Sequence, residues 1–150
     1  NIIEGKTMKN FYLIFILVCM FGGMLVSANA ADMSIDMLNK KDKVKMLYSE
    51  EIARIDVGDT ITWLPASKGH NVQFVSVPDG VDKVKSKLSA EFSHTFEKEG
   101  VYLYVCTPHA TMGMIGVVVV GDSEVNLAEV KKYKFRGKSK KRFKKIVKEL

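Results

Sequence analysis

Three features of the chain predict an all-β domain followed by two C-terminal helices. Short runs rich in β-branched and aromatic residues recur with turn residues between them. The last of these runs closes on four consecutive valines, Val117–Val120, a pattern that suits a strand buried on both faces. Beyond Gly121 the apolar spacing lengthens from two residues to the three or four of a helix. Seven or eight short strands so spaced form an antiparallel sandwich or barrel.

The elements follow in chain order. Ser34–Asn39 and Lys45–Tyr48 are short mixed strands. Ile52–Val57 alternates as a half-buried strand does, and Gly58-Asp59 turns the chain. Thr60–Leu64 is dense in β-formers. Pro65–Gly69 is a loop, and His70–Val77 is extended. Pro78-Asp79-Gly80 makes a turn. Val81–Leu88 reads as a short exposed helix. Phe92–Phe96, Val101–Cys106 and Met114–Val120 complete the strands, with Gly100 as punctuation. Ser123 is placed to cap a first helix carrying Val125, Leu127, Val130 and Tyr133. Gly137 breaks it, and Phe143, Ile146, Val147 and Leu150 form a second apolar stripe. Both helices are expected on or beside the sandwich.

The N-terminus reads as an export signal. Lys9 precedes the uncharged run Phe11–Val26, and Ala28 and Ala30 are small residues at the positions a signal peptidase reads. The run is shorter than the roughly 20 residues of a spanning helix, so an uncleaved anchor is the weaker alternative. A lipid-bearing Cys19 is weaker still, because Val18 replaces the usual small neighbour and the apolar run continues past it. Residues 1–7 precede the first methionine and carry no assigned role. The expected organisation is therefore a leader and secretory signal over 1–30, a domain over 31–123 and a basic helical extension over 124–150. No stable membrane insertion is expected after cleavage. Removal of the leader discards Cys19 and leaves one cysteine, Cys106. A lone thiol in an oxidising compartment is free, paired with another molecule, or bound to a metal.

The formal charge of +6 invites a nucleic-acid reading. The charge is unevenly placed. Residues 124–150 hold 11 Lys+Arg against 3 Asp+Glu, whereas 31–123 hold 10 against 13. A mildly acidic sandwich with no basic face interleaved with aromatics is a poor platform for nucleic acid.

Chemistry concentrates in Cys106-Thr107-Pro108-His109-Ala110-Thr111-Met112-Gly113-Met114, which joins two predicted strands. A second imidazole, His70, stands at a loop-to-strand junction in Gly69-His70-Asn71. One Cys, two His and a Met are the donors of a type 1 copper site, trigonal His2Cys with a long axial thioether. Thiolate and thioether are soft and hold Cu(I), while imidazole suits both oxidation states. Zinc takes four strong ligands and has little use for a thioether. Singly, each residue reads as structural: Cys106 as a small hydrophobe, the methionines as core, His70 as a loop histidine. The spacing of all four in an exported β-domain favours the metal. His94, flanked by Phe92 and Phe96, reads as a structural or partly exposed histidine.

These residues make the chain resemble the pseudoazurins, small periplasmic blue copper proteins of the cupredoxin, plastocyanin-like family. The matching segments are Met37–Lys40, Gly58–Thr60, Lys68–Val72, Lys85–Lys87, Cys106–His109, Met112–Met114 and Val120–Ser123. The resemblance covers nearly all of 31–150. It implies an eight-stranded Greek-key sandwich with two C-terminal helices, one copper ion cycling between Cu(I) and Cu(II), and ligands at His70, Cys106, His109 and Met114. Met112 would give the H-x2-M spacing of amicyanins, and Met114 gives the H-x4-M of pseudoazurins and plastocyanins. The Met-Gly-Met match favours Met114. Around the ligands, Asn71 N–H is the expected donor to the Cys106 sulfur. The Asn71 side chain can tie to Thr107, Pro108 has no N–H to give, and Met46 matches a position near the exposed ligand His109.

The implied function is periplasmic electron shuttling between redox proteins, with no catalytic residues. The implied partners are a cytochrome or a copper-containing reductase. They would meet a monomer at an apolar patch of Pro65, Ala110, Thr111, Met112 and Gly113 around His109, ringed by Lys40, Lys68, Lys85 and Lys87. Val105, where some relatives carry lysine, and a shorter Asn71–Pro78 loop leave the partner open. The rival readings are a non-redox protein that holds or delivers copper, an enzyme, and a role for the basic tail as an adhesive for membranes or acidic proteins. A type 1 site has its ligand positions filled, which disfavours the enzyme.

Overall fold

A computed structural model describes residues 30–150. The signal and leader reading falls almost wholly outside these residues. Eight strands are present: β1 Asp32–Lys41, β2 Val44–Tyr48, β3 Ile52–Ile55, β4 Thr60–Leu64, β5 Gln73–Ser76, β6 Phe92–Thr95, β7 Gly100–Val105 and β8 Ile115–Val120. Two helices follow, α1 Leu127–Lys132 and α2 Gly137–Glu149.

The strands form two four-stranded sheets, ordered β2-β1-β4-β6 and β3-β8-β7-β5. The sandwich is not wholly antiparallel as the strand pattern suggested. β1 pairs parallel to β4, and β3 parallel to β8. Local alternation reports which face a strand buries, but not the direction of its neighbour, so these crossovers have no local signature.

Between the sheets lies an aromatic-rich core. Ile35, Met37, Ile61 and Trp63 from one sheet meet Phe74, Tyr102, Tyr104, Val118 and Val120 from the other. Trp63 stands edge-on to Tyr104 at 5.2 Å between ring centres, and Tyr104 edge-on to Tyr48 at 4.8 Å, arrangements the ring quadrupoles favour. Tyr104 faces Gly116 across the β7–β8 ladder. A Cβ at Gly116 would lie 2.5 Å from the phenol oxygen, so only glycine admits that ring.

The valine run in β8 is explained by a second core outside the sandwich. Val117 and Val119 join Val101, Leu103, Val105 and Ile115 on the outer face, where Leu127, Val130, Phe143 and Ile146 of the helices cover them. Helices on one face and a sheet on the other leave β7 and β8 buried throughout.

Three local expectations fail. Val81–Leu88 is not a helix. Its spacing of Val81, Val84 and Leu88 mimics one, yet Val81 and Val84 pack partly on the inner core while Leu88 is exposed. The segment runs beside the edge strand β5, with an isolated bridge between Gln73 and Lys85 and hydrogen bonds Phe74 N to Val84 O and Ser86 N to Val72 O. Covering a sheet edge in this way satisfies backbone groups that a helix would leave open. Ser123 is not the cap. The first helix is capped at Asn126 with no side-chain bond, and Asp122 instead heads a 3-10 turn, Ser123–Val125, its side chain accepting from Glu124 N. Gly137 does not break the first helix, which already ends at Lys132; it begins the second.

Candidate metal centre

The site is built from two segments at one end of the sandwich. β7 ends at Val105, and Cys106 starts a 3-10 turn, Thr107–His109, with Pro108 in its first positions. Proline's fixed φ and missing N–H suit a turn start. The turn brings His109 back, its N–H donating to Cys106 O. Cys106 N donates to Met114 O, and Met112 N and Met114 N both donate to His109 O. The loop is thus laced closed by its own backbone. His70 enters from the loop between β4 and β5. Ser89 N donates to its carbonyl, and Gly69, with a φ of 86°, turns the chain before it.

Three donor atoms converge. Cys106 Sγ lies 3.6 Å from His70 Nδ1 and 3.4 Å from His109 Nδ1, and the two nitrogens are 3.1 Å apart. A point equidistant from atoms so separated lies about 2.0 Å from each, close to a metal–imidazole bond length. His70 and Cys106 are buried and His109 is half-buried. Met114 is wholly buried, and its backbone is bonded to both Cys106 and His109, whereas Met112 is 41% exposed. The donor set of one thiol, two imidazoles and an adjacent buried thioether fits copper.

The electrostatics suit a cation that displaces a proton. Burial pushes the Cys106 thiol above its ordinary pKa, partly offset by the backbone N–H groups of Asn71 and His109. Burial, and then the His109 ring, hold His70 below the ordinary histidine value. A neutral imidazole offers its lone pair, and a thiol gives up its proton on binding.

Asn71 ties the two segments together. Its Oδ1 accepts from Thr107 N at 2.8 Å and Thr107 Oγ1 at 3.0 Å. Pro108 is exposed. Met46, half-buried on β2, has a φ of 53°. The β1–β2 register skips the pair Asn39 and Met46. Strained backbone of this kind gathers at functional sites, and here Asn39, freed from the ladder, presents Oδ1 2.8 Å from His70 Nε2. His94 is absent from the donor cluster. It packs edge-on to Phe74 and Phe96.

Two partners of the site were not visible in the sequence. Asn39 Oδ1 lies 2.8 Å from His70 Nε2, placed to accept a proton there, which leaves the Nδ1 lone pair facing Cys106 and His109. The buried Tyr48 hydroxyl donates to Asn71 O at 2.7 Å and so anchors the residue after His70. Asn39 lies in a matching segment, but neither long-range pairing leaves a spacing signal.

Comparison with known proteins agrees with this geometry. The family model for copper binding proteins of the plastocyanin/azurin family matches residues 35–121. Pseudoazurin of Methylorubrum extorquens is 39% identical over 117 residues, which is 77% of this chain and 79% of that protein. Pseudoazurin of Paracoccus pantotrophus is 37% identical over 115 residues, 75% of this chain and 79% of that one. Among solved structures, pseudoazurin from Methylobacterium extorquens AM1 superposes with a TM-score of 0.76 at 36% identity, covering 79% of this chain and 98% of that one. Pseudoazurin from Hyphomicrobium denitrificans gives 0.76 at 36% identity, with 80% and 98% covered. The chain belongs to the copper-binding plastocyanin/azurin family, alongside the pseudoazurins, and its cofactor is copper.

Proposed function

We propose that the chain is a periplasmic one-electron carrier that shuttles electrons between redox proteins through a single type 1 copper held by His70, Cys106, His109 and Met114. The observation that carries this reading is the convergence of one thiol and two Nδ1 atoms, 3.1–3.6 Å apart, beside a buried methionine. When bound, copper supplies the Cu(I)/Cu(II) couple. The chain's own residues hold its surroundings still. The backbone lacing of 106–114, the Asn71 bridge and the Asn39 bond to His70 restrict movement of the donors, so little rearrangement accompanies transfer of an electron. With four donors in place no coordination position is left for a substrate, which fits a carrier rather than an enzyme.

Half-buried His109 is the natural exit for the electron. Pro65 and Ala110 are half-buried, and Thr111 and Met112 exposed, and these offer a small contact patch. Lys40, Lys68, Lys85 and Lys87 are all exposed. Each stands within two residues of a group bonded into the site. Lys40 follows Asn39, Lys68 precedes Gly69-His70, and Lys85 and Lys87 flank Ser86, whose carbonyl accepts from Asn71 Nδ2. Such a ring would steer an acidic face of a cytochrome or a copper-containing reductase. Export follows from the leader at 1–30, with 31–123 as the copper domain and 124–150 as its helical extension. No helix among the described residues is long and apolar enough to cross a membrane.

The test is stopped-flow oxidation of the reduced copper protein by an acidic c-type cytochrome at rising ionic strength. The rate is expected to fall as salt screens the lysines. A salt-independent rate removes the steering argument, and copper lost to a chelator on reduction favours the copper-delivery alternative.

A further inference from the structure

α2 begins against the ligand loop, and its contacts there have a common target. Lys138 N donates to Thr111 O at 2.9 Å. The buried Ser139 hydroxyl donates to Ala110 O. Arg142 Nη1 donates to Gly113 O, while its Nε pairs with Glu51 at 3.0 Å. Three carbonyls of the segment between His109 and Met114 are therefore held by one helix. The contact is close: a Cβ at Gly137, where φ is 59°, would lie 2.3 Å from Thr111 O. A Cβ at Gly113 would lie 3.4 Å from the Arg142 guanidinium carbon.

The apolar stripe of α2 does not require this. Phe143 and Ile146 bury against the outer face of the β7–β8 sheet, a task any amphipathic helix can perform. Ser139 and Arg142 add something different, since both spend polar groups on backbone of the metal loop. Carbonyls in a tight loop have few other partners, and each one pinned removes a way for the loop to open. The segment carries His109 at one end and Met114 at the other, so holding it sets the distance between two donors.

We propose that α2 is a positioning element of the copper centre: Ser139, Lys138 N–H and the Arg142–Glu51 pair clamp the carbonyls of Ala110, Thr111 and Gly113 and thereby hold His109 and Met114 in ligating register. The C-terminal extension is then part of the metal site and not a separable basic tail. The proposal rests on 106–114 being the ligand loop.

The test uses the full chain and the variants Ser139→Ala and Arg142→Gln, with Ile146→Val as the control. Ile146 lies on the same helix, is buried in the outer apolar core and makes no hydrogen bond to the ligand loop. Cu(I) affinity is measured by competition with a chelator, and the visible and EPR spectra of the Cu(II) form are recorded. Ser139→Ala and Arg142→Gln are expected to weaken Cu(I) binding about tenfold, as loss of an outer partner does. They should also change the ratio of the thiolate absorption bands and shift the reduction potential. Ile146→Val should lower the unfolding midpoint with wild-type spectrum and affinity. Glu51→Gln, which leaves the Gly113 bond in place, should give a smaller effect of the same kind. If Ser139→Ala and Arg142→Gln bind copper within twofold of wild type and keep its spectrum, α2 is a cover only and the proposal fails. If one variant does not fold, the other decides. Absence of copper binding by the wild-type chain would instead overturn the ligand assignment.

Discussion

Replacing Asn39 by alanine isolates a single hydrogen bond to the metal centre. His70 is wholly buried, and its Nε2 meets Asn39 Oδ1 at 2.8 Å. Without that acceptor the Nε2 proton loses its partner, at a cost of about 1–3 kcal/mol for an unpaired buried donor. Each 1.4 kcal/mol is tenfold in an equilibrium constant. Asn39 itself is exposed, so water can reach the vacated place and hold the loss near the lower end. About tenfold weaker Cu(I) binding is expected, in a competition assay against a chelator of known affinity. Asn39→Asp keeps an acceptor and should recover most of the affinity. An Asn39→Ala protein that stays folded and binds Cu(I) within twofold of wild type refutes the tautomer argument. So does an Asn39→Asp protein as weak as the alanine variant.

Other consequences follow from burial and charge. Met114→Leu should change the copper spectrum strongly and Met112→Leu hardly at all, because Met114 is buried beside His109 and Met112 is 41% exposed; the reverse result would exchange their roles. Phe74 is wholly buried among the aromatic rings of Trp63, Phe92, Phe96, Tyr102 and Tyr104. Phe74→Ala should cost about 3–5 kcal/mol in urea unfolding, and a loss below 1 kcal/mol would show that the core collapses around the gap. Burial holds His94 below its ordinary pKa, with Glu97 opposing. The unfolded chain therefore binds that proton more readily, and the contribution of neutral His94 is present above about pH 6.5 and lost as pH falls toward the folded value. Between those limits metal-free His94→Gln should lose less stability than metal-free wild type; parallel losses would remove His94 from the account.

Much of this was legible in the residues, for definable reasons. Thr60–Leu64 shows its bounds because β-formers stop at Pro65. The donors Cys106 and His109 lie three residues apart on one turn, a separation that sequence displays directly. His70 is 36 residues from Cys106, and it was legible because a type 1 copper site needs a second imidazole and its Gly-His-Asn setting matches a known pattern. Of the groups that steady the donors, the Asn71 tie to Thr107 was expected from the resemblance, and the others were not legible. Tyr48 to Asn71, Asn39 to His70 and Ser139 to Ala110 join residues 23, 31 and 29 positions apart through ordinary polar side chains. Val81–Leu88 has the apolar spacing of a helix, but Val81 and Val84 turn inward from an extended segment along the sheet edge while Leu88 is exposed, and spacing alone does not separate the two. The sequence marks 124–150 only as a basic extension, whereas the side-chain bonds to the ligand loop come from buried Ser139 and half-buried Arg142.

The most direct test of the central claim is the visible absorption spectrum of the copper-loaded protein, recorded through one cycle of reduction and reoxidation. An intense orange-red thiolate-to-Cu(II) band is expected, one that disappears on one-electron reduction, returns on oxidation, and is absent from Cys106→Ser. A colourless copper complex, or a spectrum that Cys106→Ser leaves unchanged, would contradict it.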